Sequence, residues 1–392
     1  MKRCQRCILP DNYPGIEFDG SGVCSCCANY KKLQPPPAKE QELIKLVEKA
    51  RLNKGRYQAI VPISGGKDSA YALYMARKEF GLRVLAINFD NGFRSASAEA
   101  NLKTLTTKLD VDYISMKPSW ELMRNLYSAF VKITGEFCTV CNAMGYLIIL
   151  TRILEEQKRV GSRLLIFGGW SENLEAMTGV YSFDFRYFHD VINEAGMSEM
   201  LRSSPMIDEL CLDILINTSD PRMTVRDKMV PFDYVMLPDY VTWDINEISK
   251  VLKDRVGWSP PASAESETHF DCDMYPVAKY FERHKYGFSQ STITYSAMVR
   301  AGLISRSGAL ERVRKEPTEV PAEFTEFLNV LGLAETEVNW NGRWHPQRMK
   351  EQKLSERTKV FPKKRFIIRT LLKRKLTDIK LAIQRTLEMF KS

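Results

Sequence analysis

The sequence predicts an α/β protein: a doubly wound parallel sheet, preceded by a small cysteine-bearing module and followed by a helical C-terminal region. Three observations carry this. Short apolar runs alternate with helical periodicity between residues 57 and 167, the pattern of strands joined by helical crossovers. Two of those runs end in adjacent glycines, Gly65-Gly66 and Gly168-Gly169, where a chain can turn sharply from strand to helix. Near the N-terminus the cysteines pair as Cys4-x-x-Cys7 and Cys24-x-x-Cys27, a spacing that suits one tetrahedral metal better than a hydrophobic core.

The elements follow in order. Residues 1–33 form a zinc-ribbon-like module, closed by the Pro35-Pro36-Pro37 linker. Residues 40–51 place Leu43, Ile44, Leu46 and Val47 at helical spacing. Strand 57–63, helix 68–81, strand 83–89, helix 97–109 and strand 111–115 come next, then helices around 120–134 and 140–157 and a strand at 163–167. Periodicity fades from about 178 to 240, where Tyr181 to Phe188 is rich in aromatics; this reads as a substrate-shaping insertion with short helices. The sheet domain is thus 38–240. Residues 241–335 are helical, broken at Gly287, Gly302 and Pro317, and 336–392 form a basic amphipathic tail.

Composition narrows the function classes. With 392 residues, 44% hydrophobic and 27% charged, the chain is an ordinary globular protein. No apolar run approaches membrane-spanning length, and the opening Met1-Lys-Arg-Cys lacks the hydrophobic core of an export signal. The expectation is a cytoplasmic protein whose nine cysteines are reduced or metal-bound. The net charge of +9 is local: twelve Lys/Arg against Asp378 and Glu388 lie between Arg357 and Ser392, and the rest is close to neutral. A broad nucleic-acid face is therefore not expected. The tail interleaves Phe366, Leu371, Leu372, Ile379 and Ile383 with its cations; it suits peripheral contact with an anionic membrane, docking on a partner, or a solvated terminal helix.

The most informative stretch is Ser64-Gly65-Gly66-Lys67-Asp68-Ser69, directly after an apolar strand. Backbone N–H groups at such a junction, the positive end of the helix dipole and Lys67 form a socket for phosphate. It is not the Gly-x4-Gly-Lys-Ser/Thr pattern, because the glycines are adjacent and Asp follows Lys. Asp68 would hold Mg²⁺ on the phosphates or cap its helix. Asp90-Asn91-Gly92 ends the second strand and Gly168 the fourth, both at the edge where open sheets collect ligands. Asp90 reads as a nucleotide contact or as a turn cap. Glu172 is a candidate magnesium ligand or part of a helix start. His189, His269, His284 and His345 are scattered, and none is singled out as a base.

The four N-terminal cysteines point to structural zinc, with Cys26 a spare thiol. Cys138-x-x-Cys141, with Cys272 as preferred third ligand and Cys211 as alternative, reads as a 4Fe-4S cluster site, a second zinc site, or packed thiols.

The loop Ser64–Ser69 closely resembles that of the PP-loop ATP pyrophosphatases, whose fold is HUP-like. The whole chain to about residue 335 resembles the N-acetyl sugar amidotransferases of lipopolysaccharide and surface-sugar biosynthesis. The matching pieces are Cys4-Gln-Arg-Cys-Ile-Leu-Pro-Asp-Asn-Tyr-Pro-Gly-Ile-Glu-Phe18, Gly22-Val-Cys-Ser-Cys-Cys27, Phe137-Cys-Thr-Val-Cys141, Thr242-Trp-Asp244, Asp271-Cys-Asp-Met-Tyr275 and Lys285-Tyr-Gly-Phe-Ser-Gln-Ser291. The resemblance implies that Ser64, Gly65, Gly66, Lys67, Asp68, Ser69, Asp90, Asn91 and Gly168 bind ATP, with Lys67 and Asp68 catalytic and Mg²⁺ present. It implies an N-acetylated nucleotide sugar as substrate, conversion of its amide to an acetamidino group, and ammonia from a separate glutaminase subunit. The basic tail stands outside the resemblance as an addition. The competing expectation is a PP-loop sulfurtransferase that thiolates a tRNA or small molecule through a cluster on Cys138, Cys141 and Cys272.

Overall fold

The computed structural model describes residues 1–13, 15–30, 37–160, 164–169, 185–216, 233–260, 271–316 and 318–342. After α1 (Ser25–Ala28) and α2 (Pro37–Arg51), the sheet begins with β1 (Ala59–Pro62), every residue of which is buried. Continuous rather than alternating apolarity marks a strand covered on both faces. Then follow α3 (Lys67–Tyr74), β2 (Val84–Phe89), α4 (Ala96–Leu109), β3 (Asp112–Met116), α5 (Trp120–Thr134), α6 (Cys138–Val160) and β4 (Leu164–Phe167). Three short helices, α7 (Phe185–Glu194), α8 (Ser198–Arg202) and α9 (Glu209–Ile216), precede β5 (Asp233–Met236). The remaining helices are α10 (Ile245–Val256), α11 (Tyr275–Tyr286), α12 (Gln290–Ala301), α13 (Arg306–Arg314) and α14 (Glu323–Leu331).

The strand order is β3-β2-β1-β4-β5, and every pair is parallel. Ile60 lies in register between Leu85 and Leu165. The order reverses between β1 and β4, so the switch point, where open sheets collect ligands, lies beyond the ends of these two strands, beside Ser64 and Gly168. One face is covered by α3, α4 and α10 through Leu73, Leu102, Leu105, Ile248 and Leu252. On the other face Ile149 and Ile153 of α6 meet Ile60, Leu85 and Ile87. Polar caps set the helix starts: Ser95 accepts from Ala98 N–H and Asp244 accepts from Asn246 and Glu247 N–H.

Four details differ from the sequence expectations. α3 stops at Tyr74 and continues as a π-turn over Met75–Glu79, where Tyr74 donates to Glu79 at 2.7 Å. β5 falls inside the stretch read as an insertion. α6 starts at Cys138 itself. Residues Cys138–Glu156 are long and apolar enough to cross a membrane by length and composition, which corrects the expectation that no run is; 56% of that stretch is buried in the fold, and Leu147 and Ile148 lie in the main core.

The N-terminal module rests on the C-terminal helices. Its cysteines share a core with Phe288 and Ile293, and Ile8 packs on Tyr295, Met298 and Ala309. Arg306 donates to the carbonyls of Cys4 and Cys7. The basic tail read from Lys363 onward, His269, His345 and the Trp170–Asn173 turn lie outside the described residues.

Candidate functional site

The phosphate loop folds as a strand–turn–helix. Gly66 is the N-cap of α3 and no side chain caps the helix, so the first-turn N–H groups remain available for an anion. Ser69 ties the loop into a ring: its hydroxyl accepts from Ser64 N–H at 3.0 Å and donates to Gly66 carbonyl at 3.1 Å. Gly65 has φ +89°, and a Cβ there would lie 2.7 Å from the Ala98 carbonyl oxygen, so only glycine fits. Lys67 is buried, and its ammonium meets Asp68 Oδ1 at 2.5 Å. That oxygen also accepts from Trp243 Nε1–H at 3.2 Å. Asp68 Oδ2 accepts no hydrogen bond among the described residues, and the side chain is 47% exposed. An open carboxylate oxygen beside an uncapped helix start fits a hard divalent cation shared with phosphate oxygens.

Gly168 brings β4 against this helix start. A Cβ at Gly168 would sit 1.9 Å from the Asp68 carbonyl oxygen, so its glycine secures close packing of the two elements, with the loop as beneficiary. Asp90 is engaged internally: Oδ1 accepts from Gly92 N–H at 2.9 Å, and Oδ2 faces Lys117 at 3.4 Å and Arg94 at 3.7 Å. Arg94 also bonds Glu99 and Asn88, which braces the sheet edge.

Asn91 turns the other way. Its amide nitrogen lies 3.6 Å from Cys141 Sγ and 3.8 Å from Cys272 Sγ, while Tyr127 hydroxyl is 3.1 Å from Cys141 Sγ. Cys272 arrives on a strap that pairs with the loop after β2: Ser95 N–H donates to Asp271 carbonyl and Asp273 N–H to Phe93 carbonyl. Burial pushes the Cys138 and Cys141 thiols up, and Cys272 up to about 12, so these are neutral thiols unless a cation is present. Cys211 is buried on α9 and bonds through its N–H to Asp208.

The N-terminal cysteines form a much tighter group. Cys4, Cys7, Cys24 and Cys27 are buried with all ligand atoms within 4.8 Å of one another, the only such group among the described residues. Cys4 and Cys27 sulfurs lie 3.8 Å apart and Cys7 and Cys24 sulfurs 3.7 Å. A tetrahedral Zn–S bond length implies sulfur separations of roughly 3.8 Å. Backbone N–H groups of Cys7, Leu9 and Cys24 point at Cys4 or Cys7 sulfur, and Arg300 reaches Cys7 sulfur at 3.6 Å. Hydrogen bonds from Cys26, Cys27 and Cys7 hold Cys24 below the usual thiol range, whereas its hydrogen bond with Cys24 pushes Cys7 up to about 11. Four thiolates in one place require a divalent cation, and this donor set fits one. Cys26 stands outside the four.

Sequence reasoning missed three residues at the phosphate loop. Trp258 Nε1–H donates to Gly65 carbonyl at 2.9 Å, Trp243 holds Asp68, and Asp271 Oδ2 would lie 3.6 Å from a Cβ on Gly66. Thr242-Trp-Asp244 and Asp271-Cys-Asp273 stand out in the sequence as motifs, with a role read only for Cys272. Trp258 carried no signal.

Comparison with known proteins bears on this geometry. Residues 58–132, which hold the loop, match the family of queuosine biosynthesis protein QueC. Residues 265–369 match the C-terminal domain of lipopolysaccharide biosynthesis proteins of the WbpG-like type. Neither stretch spans half of the chain: the part that holds the loop is similar to QueC, and the C-terminal part is similar to the WbpG-like domain. That second match takes in Asp271, Cys272 and α11 to α14, and it extends into the basic segment that the sequence reading had set apart as an addition. An uncharacterized protein of Methanocaldococcus jannaschii is 23% identical over 333 residues, 84% of this chain and 99% of that one. Among solved structures, NMN synthetase from Francisella tularensis aligns with TM-score 0.27 and 12% identity, over 50% of this chain and 92% of that one. The NH3-dependent NAD synthetase from Campylobacter jejuni aligns with TM-score 0.28 and 14% identity, over 57% and 93%.

Proposed function

We propose that this chain is an ATP-dependent, AMP-forming ligase that converts the N-acetyl group of a bacterial surface-sugar precursor into an acetamidino group. The observation that supports it most is the uncapped Ser64–Ser69 loop at the sheet's switch point, in a chain whose C-terminal part matches a lipopolysaccharide-biosynthesis family. An amide is a weak electrophile with a poor leaving group. Attack of its oxygen on the α-phosphorus of ATP breaks the bond to pyrophosphate and leaves an O-adenylyl imidate. Ammonia then adds to the imidate carbon, the carbon–oxygen bond breaks, AMP departs with the electron pair, and a proton is lost to give the amidine.

In this scheme the α3 N–H groups and Lys67 stabilise charge on the departing pyrophosphate. Asp68 would hold Mg²⁺, which would supply further charge neutralisation there. Residues around the switch point beside Ser64 and Gly168 would hold imidate and ammonia together away from water. A separate glutaminase subunit supplies the ammonia. The test is release of AMP and pyrophosphate, rather than ADP and phosphate, from ATP in the presence of N-acetylated nucleotide sugars and ammonium. Lys67→Ala should lower that rate by roughly a hundredfold or more; an unchanged rate contradicts the assignment.

One observation favours a second reading, sulfur transfer: Cys141 and Cys272 converge on Asn91, next to the nucleotide edge of the sheet. Sulfide would then replace ammonia as nucleophile, with an iron–sulfur cluster on Cys138, Cys141 and Cys272. Anaerobically purified protein should show a broad visible absorbance band that Cys272→Ser abolishes; a colourless, fully active protein excludes it.

A further inference from the structure

The phosphate loop is gripped from behind by two indoles that lie on either side of one helix. Trp243 and Trp258 flank α10, which packs through Ile248, Leu252 and Val256 into the core that contains Leu73 of α3 and Leu102 of α4. Trp258 is 2% exposed and donates to the Gly65 carbonyl. Carbonyl and N–H of a trans peptide point in opposite directions. A bond that draws the Gly65 carbonyl inward therefore turns the Gly66 N–H outward, where it donates to Ser64 Oγ at 3.3 Å. Two adjacent glycines put up little steric resistance to a flip of the peptide between them, so an external lock on that carbonyl decides which way the donor faces.

Trp243 acts on the other end of the loop. It and Lys67 both engage Asp68 Oδ1, which leaves Oδ2 as the oxygen with no hydrogen bond among the described residues. We propose that Trp258 and Trp243 are positioning residues of this loop. Trp258 locks the Gly65–Gly66 peptide so that the Gly66 N–H stays on the side of the exposed Ser64 hydroxyl, to which it donates, and Trp243 aims the open oxygen of Asp68 at a divalent cation on the phosphates. The proposal rests on the nucleotide-binding part of the reading above and not on the identity of the acceptor.

Inorganic pyrophosphate is the probe, titrated calorimetrically into the full chain with and without Mg²⁺. Trp258→Phe keeps the ring volume and removes the N–H; it should weaken pyrophosphate binding about tenfold in both conditions. Trp243→Phe should bind as the parent does without Mg²⁺ and lose about tenfold only when Mg²⁺ is present. A merely structural indole would lower the melting temperature without moving either affinity. Folded variants that both bind within about twofold of the parent in both conditions overturn the proposal. If Trp258→Phe does not fold, the Mg²⁺-specific loss in Trp243→Phe decides. A parent that binds no pyrophosphate sinks the ATP reading itself; a parent that binds it but forms no amidine sinks only the acceptor chemistry.

Discussion

At the scale of single residues, the phosphate loop is the part most legible in the sequence, because its chemistry demands particular residue types. Gly65 illustrates the demand. A side chain there would have to adopt a left-handed backbone and displace the Ala98 carbonyl. Gly65→Ala should therefore lower activity by roughly a hundredfold through misaimed donors, which steady-state kinetics on the folded variant would reveal. Asp90 shows the limit of such reading: nothing in the sequence tells that Arg94 and Lys117 would claim its carboxylate. Glu282 was illegible too. Burial pushes its carboxyl up to about 7, although Gln290 N–H donates to it. A raised carboxyl favours the folded state at low pH, and that contribution is lost as pH rises from about 4.5 through about 7. The loss should amount to about 1–3 kcal/mol after allowance for partial exposure. Glu282→Gln should flatten the difference in urea midpoint between pH 5 and pH 8, and an equal difference in variant and parent would contradict it.

At the scale of elements, strands that are apolar throughout and helices that carry their own caps were readable. β5 was not, because Asp233–Met236 is a four-residue edge strand with one buried residue and its partner β4 lies far away in sequence. The π-turn after α3 was likewise hidden, since hydrophobic spacing does not distinguish one extra backbone residue in a turn. The grouping of the four N-terminal cysteines was readable, but its support was not: Arg300 and Arg306 come from α12 and α13, almost the whole chain away. Those contacts predict that metal and C-terminal helices fold together. Metal analysis should give about one zinc per chain. Cys24→Ser should lose it and lower the melting temperature by several degrees or more, with α11 to α13 losing amide protection first. Metal-free protein with unchanged melting and protection would refute this coupling.

At the scale of the whole molecule, the strand order places three sequence-distant pieces at one edge: the Ser64–Ser69 loop after β1, Gly168 after β4, and the Asp271–Asp273 strap from the WbpG-like region. α10 then braces the loop from the opposite side. Such an arrangement suits a reaction in which a nucleotide and an acceptor meet at one edge of the sheet, and in which the acceptor's identity is set by the regions around the sheet rather than by the loop. The most direct test of the central claim is mass spectrometry of the acceptor after incubation with the protein, ATP, Mg²⁺ and ammonium under anaerobic conditions. Amidine formation predicts that an N-acetylated nucleotide sugar loses about one mass unit, oxygen being replaced by NH, with one AMP formed for each sugar converted. An unchanged sugar beside accumulating AMP would contradict it, as would a gain of about sixteen units when sulfide replaces an inert ammonium.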